Sequence, residues 1–298
     1  SSARIVVDRG FNCDQFHALV DGRPVDVIDA DPDFVNGAGR ASGNGIPILF
    51  PFPNRIRNGR YCWDQQEYQI PESSAAFDGN GNAIHGFCLD RPWRVIESSD
   101  HVVVGAFQLS VDAPDCLPYW PGDCAIEIRY QLNGNCLRAD IQISNPGEQT
   151  IPWGFGTHPY FRLPLSELSE TKHCLIQVPA NQERELIDCL PTGIVQSVAD
   201  RKDLRDGAYF DLLQLDDVLT GLQLTNNVLE CVIMDEQAGL QIAQRSGPGF
   251  QDVVVYTPPG RSVVCIEPYT CSTDAINLQT SESDFGLRVL EPGQTFRT

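Results

Sequence analysis

Residues 125–144, AIEIRYQLNGNCLRADIQIS, alternate between apolar and polar side chains on both sides of an Asn-Gly turn. Polar residues separate Ile126 from Ile128 in the first half, and the same alternation runs from Leu137 to Ile143 in the second. A side-chain period of two is typical of a strand that buries one face, and Asn-Gly favours a tight reversal of the chain. The stretch therefore predicts a β-hairpin with one buried face.

Short β-branched runs between turns recur along the whole chain, which contains 25 glycines and 21 prolines. Residues 18–28, ALVDGRPVDVI, predict a second hairpin around Asp-Gly, whereas residues 166–172 (SELSETK) and 197–204 (SVADRKDL) allow only a turn or two of helix. No linker, repeat or shift in composition divides the sequence. We therefore expect one domain over residues 1–298 with an all-β fold, a large antiparallel β-sandwich.

The composition of the 298 residues is typical of a globular chain, with 42% hydrophobic and 20% charged residues. A net charge of −19 repels phosphate backbones and anionic membrane surfaces, so neither is an expected partner. No stretch approaches the roughly 18 apolar residues of a membrane-spanning helix. The 11 cysteines are scattered without a C-x-x-C pair or a cysteine–histidine cluster. We expect reduced thiols, a cytoplasmic location and no metal site.

Two proline- or glycine-containing segments interrupt the strand pattern with polar side chains. In NGIPILFPFPNRIRNGRY three prolines fix an extended path that delivers Asn54 and Arg55, and a guanidinium binds neighbouring hydroxyls or a carboxylate. In AIHGFCLDRPW, His85 precedes Gly86, where another backbone segment can approach closely. A solvated surface loop is the alternative for the first segment, and a structural histidine is the alternative for the second.

Two further segments share the form ionisable residue, proline, tyrosine. GTHPYFRLP holds His158, an imidazole suited to proton donation near neutrality, and CIEPYT holds Glu267 at the end of an apolar strand. Burial there raises the pKa of a carboxyl group or requires a partner for it, and either condition suits a general base. A buried structural histidine and a structural salt bridge are the alternatives. LQLDDVLTGL, residues 213–222, adds two adjacent aspartates that are suited to accepting hydrogen bonds from sugar hydroxyls or to forming a charged turn.

In their order along the chain, these segments resemble the motifs of the aldose 1-epimerase (galactose mutarotase) family. The matching stretches cover roughly residues 10–298 and are NRIRNGRY, IHGF, DRPW, HPYF, LPTG, YTPPG, IEPYT and VLEPGQT. The HGF and HPYF forms resemble the broader, less characterised branch of the family. The resemblance implies a β-supersandwich with an open sugar-binding cleft. It also implies interconversion of α and β anomers without a metal or cofactor.

The resemblance also implies a role for each candidate residue. Glu267 matches the general base and His158 the general acid. The predicted sugar-binding residues are Asn54, Arg55, His85 and Asp216, with Asp217 as the alternative to Asp216.

The expected substrate is a free monosaccharide, handled by a monomer or homodimer. A hexose-6-phosphate 1-epimerase on the same fold is one alternative, with Arg55, Arg57 and Arg60 as the cationic pocket. A carbohydrate-binding protein without catalytic activity is a second, although binding alone does not require an acid–base pair. A glycoside hydrolase is a third, but it ordinarily needs two catalytic carboxylates.

Overall fold

The computed structural model describes residues 1–298 and consists mainly of 27 β-strands. The first strands are β1 Ser2–Val6, β2 Asn12–Val20, β3 Arg23–Asp26, β4 Ile48–Leu49, β5 Arg55–Ile56, β6 Arg60–Trp63, β7 Gln66–Gln69, β8 Ala76–Phe77, β9 Ala83–Ile84, β10 Arg94–Ser98, β11 Val102–Gln108, β12 Ala125–Asn133 and β13 Cys136–Ser144. The remainder are β14 Ile151–Trp153, β15 Gly156–Thr157, β16 Tyr160–Arg162, β17 Cys174–Gln177, β18 Ala180–Ile187, β19 Leu190–Ser197, β20 Ala208–Tyr209, β21 Asp216–Leu222, β22 Leu229–Asp235, β23 Leu240–Ser246, β24 Asp252–Tyr256, β25 Val263–Tyr269, β26 Arg288–Leu290 and β27 Thr295–Arg297.

Helical structure is confined to single turns. The α-helical turns are α1 Leu109–Asp112 and α2 Ala275–Leu278, and the 3-10 turns are Phe34–Asn36, Ala41–Gly43, Arg57–Gly59, Leu117–Tyr119, Thr171–His173, Asp200–Lys202 and Phe210–Leu212. The turns predicted in SELSETK and SVADRKDL are confirmed as one 3-10 turn each. Residues 101–111, HVVVGAFQLSV, have the composition of one long strand, but β11 ends at Gln108 and α1 follows. No helix has the length and apolarity to cross a bilayer.

Both predicted hairpins are confirmed. Strands β12 and β13 pair antiparallel with Ile126 opposite Ile143, and the residues of the buried face meet across the ladder. Strands β2 and β3 are joined by Asp21 and Gly22, whose φ angles are 50° and 78°. Positive φ at both central residues is the backbone that a two-residue Asp-Gly turn favours.

All pairs of named strands are antiparallel, and the three largest sheets have eight, five and four strands. The eight-stranded sheet has the order β19-β18-β21-β24-β25-β15-β4, with β16 also pairing to β25. The five-stranded sheet has the order β10-β11-β12-β13-β27, and the four-stranded sheet the order β20-β17-β22-β23. The predicted all-β architecture, an antiparallel β-supersandwich, is confirmed.

An apolar cluster of 50 buried residues includes members from all three of these sheets. In strand β25 the side chains of Val264 and Ile266 belong to this cluster. Successive side chains of a strand point to opposite faces, so Cys265 and Glu267 point to the other side of the sheet. The eight-stranded sheet thus presents a second face to the candidate site.

Candidate active site

The floor of the site is the face of the eight-stranded sheet that points away from the main core. Across the ladder Asp216 lies opposite Tyr256, and Tyr256 lies opposite Cys265, which places these residues in one row. Glu267 is the next residue of β25 on the same face, since side chains alternate along a strand. The pleat of three neighbouring strands therefore brings Asp216 and Glu267 to a common surface.

His158 reaches this surface from the connection between β15 and β16. Gly156 pairs with Tyr269 and Tyr160 pairs with Cys265, so both flanks of the connection are held against β25. The His158 backbone N–H also donates to the carbonyl of Pro47 at 3.1 Å. The result is a distance of 3.2 Å between His158 Nε2 and Glu267 Oε1, with both side chains more than nine-tenths buried. One proton can be exchanged between the two groups over this distance.

Asn54 and His85 enter the site from a second pair of strands. Strands β5 and β9 pair antiparallel, and the N–H of His85 donates to the carbonyl of Asn54 at 2.8 Å. Both residues have left-handed backbones, with φ angles of 55° and 68°. Such conformations are strained for residues other than glycine and often occur at functional sites. The close approach predicted at Gly86 is confirmed, because a Cβ there would lie 2.1 Å from the carbonyl oxygen of Phe50.

Arg55 is fixed by two hydrogen bonds at the edge of the site. Its Nε donates to Asp78 Oδ2 at 2.7 Å, and an Nη donates to Asn54 Oδ1 at 2.9 Å. Burial acts to lower the pKa of the guanidinium, but the hydrogen bond to Asp78 and the negative charges nearby, including that of Asp216, raise it overall and keep the group cationic. Asp216 is exposed and receives a weak contact from the thiol of Cys189 at 3.7 Å.

The two adjacent aspartates of strand β21 point to different environments. Asp216 shares its face with Glu267, whereas Asp217 binds the ammonium of Lys202 at 2.6 Å. The same ammonium contacts Glu183 at 3.1 Å. The alternation of the strand thus separates one aspartate facing the cleft from one held in an ion-pair network.

Burial raises the pKa of Glu267 well above its usual range. The negative charge of Asp216 acts in the same direction, while a hydrogen bond from the Tyr269 hydroxyl to Glu267 Oε2 and the charge of Arg55 oppose it. A carboxyl group with little access to water favours its neutral form. Glu267 therefore holds its proton to a higher pH than an exposed glutamate.

The imidazole of His158 is shifted in the complementary direction. Burial lowers the pKa of His158 to about 3, and the positive charges of Arg261 and Arg55 act in the same sense. The pKa of His85 is also well below its usual range, first through burial and then through the charges of His158 and Arg55. Burial thus favours the uncharged form of both groups, a neutral imidazole beside a protonated carboxyl group.

Aromatic rings surround the imidazole of His158. His85 meets it edge-on with ring centroids 5.6 Å apart, and Tyr256 does so at 6.3 Å. Tyr160 instead stacks parallel to it at 4.7 Å with an interplanar angle of 4°. Neither His158 Nδ1 nor His85 Nδ1 has a hydrogen-bond partner within the protein. Two buried ring nitrogens are thus available to a polar ligand.

The donor atoms of His158, Cys265 and Glu267 lie within 4.8 Å of one another, which is the only such group in the structure that resembles a metal-binding set. The thiolate is the form of cysteine that binds metals. Burial raises the pKa of Cys265 well above its usual range and keeps the thiol protonated. The chemistry of this set favours proton transfer between imidazole and carboxyl group over coordination of a cation.

The structure brings together the predicted residues Asn54, Arg55, His85, His158, Asp216 and Glu267 around this surface. Sequence reasoning missed Tyr269 and Asp78. Strand β25 continues to Tyr269 and does not end at Glu267 as expected, so the period-two rule places the Tyr269 side chain on the same face as Glu267. Nothing in the sequence of the Asp78 loop indicates that its carboxylate holds Arg55.

A family model described as aldose 1-epimerase matches residues 26–298 of this chain. Among curated proteins, the uncharacterized protein YihR of Escherichia coli K12 is 29% identical over 254 residues, which is 84% of this chain and 76% of that protein. Galactose mutarotase of Rattus norvegicus is 26% identical over 160 residues, which is 53% of this chain and 42% of that protein.

Two solved structures show how widely the fold is shared. A galactose mutarotase-like protein from Clostridium acetobutylicum superposes with a TM-score of 0.86 at 22% identity, covering 99% of this chain and 89% of that one. A galactose 1-epimerase from Lactobacillus acidophilus superposes with a TM-score of 0.63 at 18% identity, covering 99% and 88%. At these identities the likeness establishes the fold.

Proposed function

Because the chain belongs to the aldose 1-epimerase family, we propose that it interconverts the α and β anomers of a free aldose. In this proposal the 298 residues act as one catalytic domain, with Glu267 as the general base and His158 as the general acid. The observation that carries it is the 3.2 Å separation of His158 Nε2 and Glu267 Oε1 on a polar surface beside Arg55.

Ring opening requires two proton transfers. Carboxylate Glu267 takes the proton of the C1 hydroxyl, the C1–O5 bond breaks, and protonated His158 gives its proton to O5. The products are the open-chain aldehyde, a neutral imidazole and a protonated carboxyl group. Rotation about C1–C2 exposes the other face of the aldehyde, and ring closure reverses both transfers. No net proton is gained or lost.

The protonation state that burial favours is the one that occurs midway through this cycle. Neutral His158 and protonated Glu267 are the forms that accompany the open-chain aldehyde, and burial favours both. A dry environment that favours the neutral pair lowers the free energy of the open-chain complex relative to that of the charged pair with the closed ring. This supports a role in the opening step, in which two charges are neutralised.

The neighbouring residues are suited to holding the sugar. Arg55 presents a fixed guanidinium to ring hydroxyls, and the exposed carboxylate of Asp216 accepts hydrogen bonds from them. The buried amide of Asn54 and the unpartnered Nδ1 of His85 offer two further polar contacts. Donors and acceptors arranged around a hydroxylated ring fix C1 and O5 against the acid–base pair.

The contacts of the arginines favour a free aldose over a phosphorylated one. Arg55 binds Asp78, Arg57 lies 3.5 Å from Asp274, and Arg60 donates to Gln69. Gln69 is uncharged, but carboxylates accompany the other two arginines, and the protein as a whole carries a net charge of −19, which disfavours binding of a phosphate.

The test is polarimetry on freshly dissolved α-D-glucose and α-D-galactose, with wild-type protein beside Glu267→Gln and His158→Asn. Each general-catalysis step contributes roughly 10²–10⁴-fold, so each folded variant should lose most of the acceleration. Normal turnover by either variant would refute its assigned role. Acceleration of glucose 6-phosphate but of neither free sugar would favour the phosphosugar epimerase, and sugar binding without turnover would favour a binding protein.

A further inference from the structure

No other residue forms a hydrogen bond with the second nitrogen of the His158 ring. Nε2 faces Glu267 at 3.2 Å, but the buried Nδ1 has no partner within the protein. A catalytic histidine is commonly oriented by a hydrogen bond to its other nitrogen. Here the Tyr160 ring lies parallel to the imidazole, with centroids 4.7 Å apart and an angle of 4°, whereas His85 and Tyr256 meet it edge-on. Tyr160 is therefore the aromatic ring that covers a flat face of the imidazole.

Tyr160 is itself fixed from several sides. Its ring is 4% exposed, and its hydroxyl donates to the carbonyl of Ser42 at 2.7 Å. The guanidinium carbon of Arg261 lies 4.8 Å from the centroid of the ring, within the range of a cation–π contact. These contacts leave the Tyr160 ring little freedom to tilt or to withdraw from His158.

Arg261 is anchored independently of the ring that it covers. Its guanidinium donates to Asp29 Oδ2 at 2.6 Å and to the carbonyl of Gly43 at 3.0 Å. The other oxygen of the same carboxylate binds Arg162 at 2.9 Å. Of these two arginines, Arg261 alone contacts the Tyr160 ring. The pair therefore contains a natural control, because both arginines bind Asp29 and only one lies on the tyrosine.

We propose that Tyr160, clamped by Arg261, is the positioning residue that holds the imidazole of His158 in its catalytic orientation. The inference rests on the proposed function of His158 as the general acid. The stacked face restricts the plane of the imidazole while leaving both ring nitrogens free for proton transfer and sugar contact. Neither Tyr160 nor Arg261 exchanges a proton with the substrate.

Four variants test the proposal, with kcat and KM measured by polarimetry on the sugar that the wild type turns over. Tyr160→Leu removes the aromatic ring that stacks on His158. Misplacement of a catalytic group by about 1 Å lowers the reaction rate on the order of 10²-fold, so kcat should fall by about that factor while KM changes little. Tyr160→Phe keeps the face and should retain most of kcat. Arg261→Gln should lower kcat, whereas Arg162→Gln, which loses only its contact with Asp29, should not.

A spectroscopic measurement makes the test independent of turnover. Stacking on an aromatic ring shifts the carbon-bound protons of an imidazole upfield in an NMR spectrum, and the His158 signals are identified by their loss in His158→Asn. We expect that shift to persist in Tyr160→Phe and Arg162→Gln and to diminish in Arg261→Gln and Tyr160→Leu. The Arg261→Gln and Tyr160→Phe variants carry the test if Tyr160→Leu does not fold.

Three outcomes would overturn the inference: normal kcat in folded Tyr160→Leu, equal effects of the two arginine variants, or a loss in Tyr160→Phe as large as in Tyr160→Leu. Failure of the proposed function looks different, because wild-type protein would then accelerate no sugar while the NMR shifts still reported the stack. A stack present in the wild type, together with normal epimerase activity in every variant, would leave His158 as the acid and remove Tyr160 from its positioning.

Discussion

Replacing His158 by Asn should make the stability of the protein less sensitive to acidic pH. In the folded chain burial holds the pKa of His158 at about 3, compared with 6.5 for an exposed imidazole. The unfolded chain therefore binds a proton at mildly acidic pH that the folded chain does not bind. Because the folded pKa is depressed, the wild type loses stability as the pH falls below 6.5, and Asn has no such loss.

The magnitude follows from the two pKa values. At pH 5 an unfolded imidazole lies 1.5 pH units below its ordinary pKa, which corresponds to about 2 kcal/mol, whereas at pH 7.5 the effect is close to zero. The difference in unfolding free energy between His158→Asn and wild type should therefore shift by about 2 kcal/mol in favour of the variant between these pH values. Any constant effect of the substitution cancels in this comparison.

The assay is equilibrium urea unfolding at pH 7.5 and pH 5, with His101→Asn as the matched control. His101 is exposed in the folded chain, so its replacement makes the same chemical change away from the buried site. A shift of the opposite sign would refute the reasoning, because it would mean that the folded protein holds an imidazolium paired with a Glu267 carboxylate. No shift at all would mean that His158 titrates equally in both states.

Three further predictions concern the same surface. Glu267→Gln should gain stability relative to wild type as the pH rises above 4.5. The pKa of Glu267 is raised in the folded chain, so the unfolded chain loses this proton first and the wild type loses stability through that range. Thermal unfolding from pH 4 to pH 8 checks the sign. Gly86→Ala should lower the free energy of unfolding by more than about 2 kcal/mol, since Gly86 has a φ of 78° and the added Cβ would lie 2.1 Å from the carbonyl oxygen of Phe50. Urea unfolding like that of the wild type would contradict the close approach. Asp78→Asn should raise KM about tenfold with kcat nearly unchanged, because Arg55 loses the carboxylate that orients it. Steady-state polarimetry measures both constants, and a fall in kcat without a rise in KM would contradict this role.

The elements that the sequence predicted well are those governed by local rules. The hairpin of residues 125–144 is determined by period-two alternation and an Asn-Gly turn, and its observed register matches that pattern. The strand-like appearance of residues 109–111 misled, because LSV has strand-forming composition but begins a helical turn. There the carboxylate of Asp112 accepts from the N–H of Gln108 at 2.7 Å. That competing local hydrogen bond ends the strand.

The site was predictable as a set of residue types but not as an arrangement. Adjacent aspartates 216 and 217 look equivalent in sequence, and only the pleat of strand β21 assigns one to the cleft and the other to Lys202. The contact between Tyr160 and Arg261 joins positions about a hundred residues apart, and no local pattern encodes it. Long-range pairings of this kind depend on the whole sheet order.

The floor of the cleft is formed by a strand, whereas part of its rim is formed by a turn. Glu267 lies in the middle of a fully buried strand, whereas Cys189, which contacts Asp216, occupies a two-residue turn in which it and Asp188 have positive φ. Substitutions in such a turn alter side chains at the rim without disturbing the ladder that aligns the acid–base pair. Sequence changes at the turns can thus alter which ligand the cleft binds while the contact between His158 and Glu267 is retained.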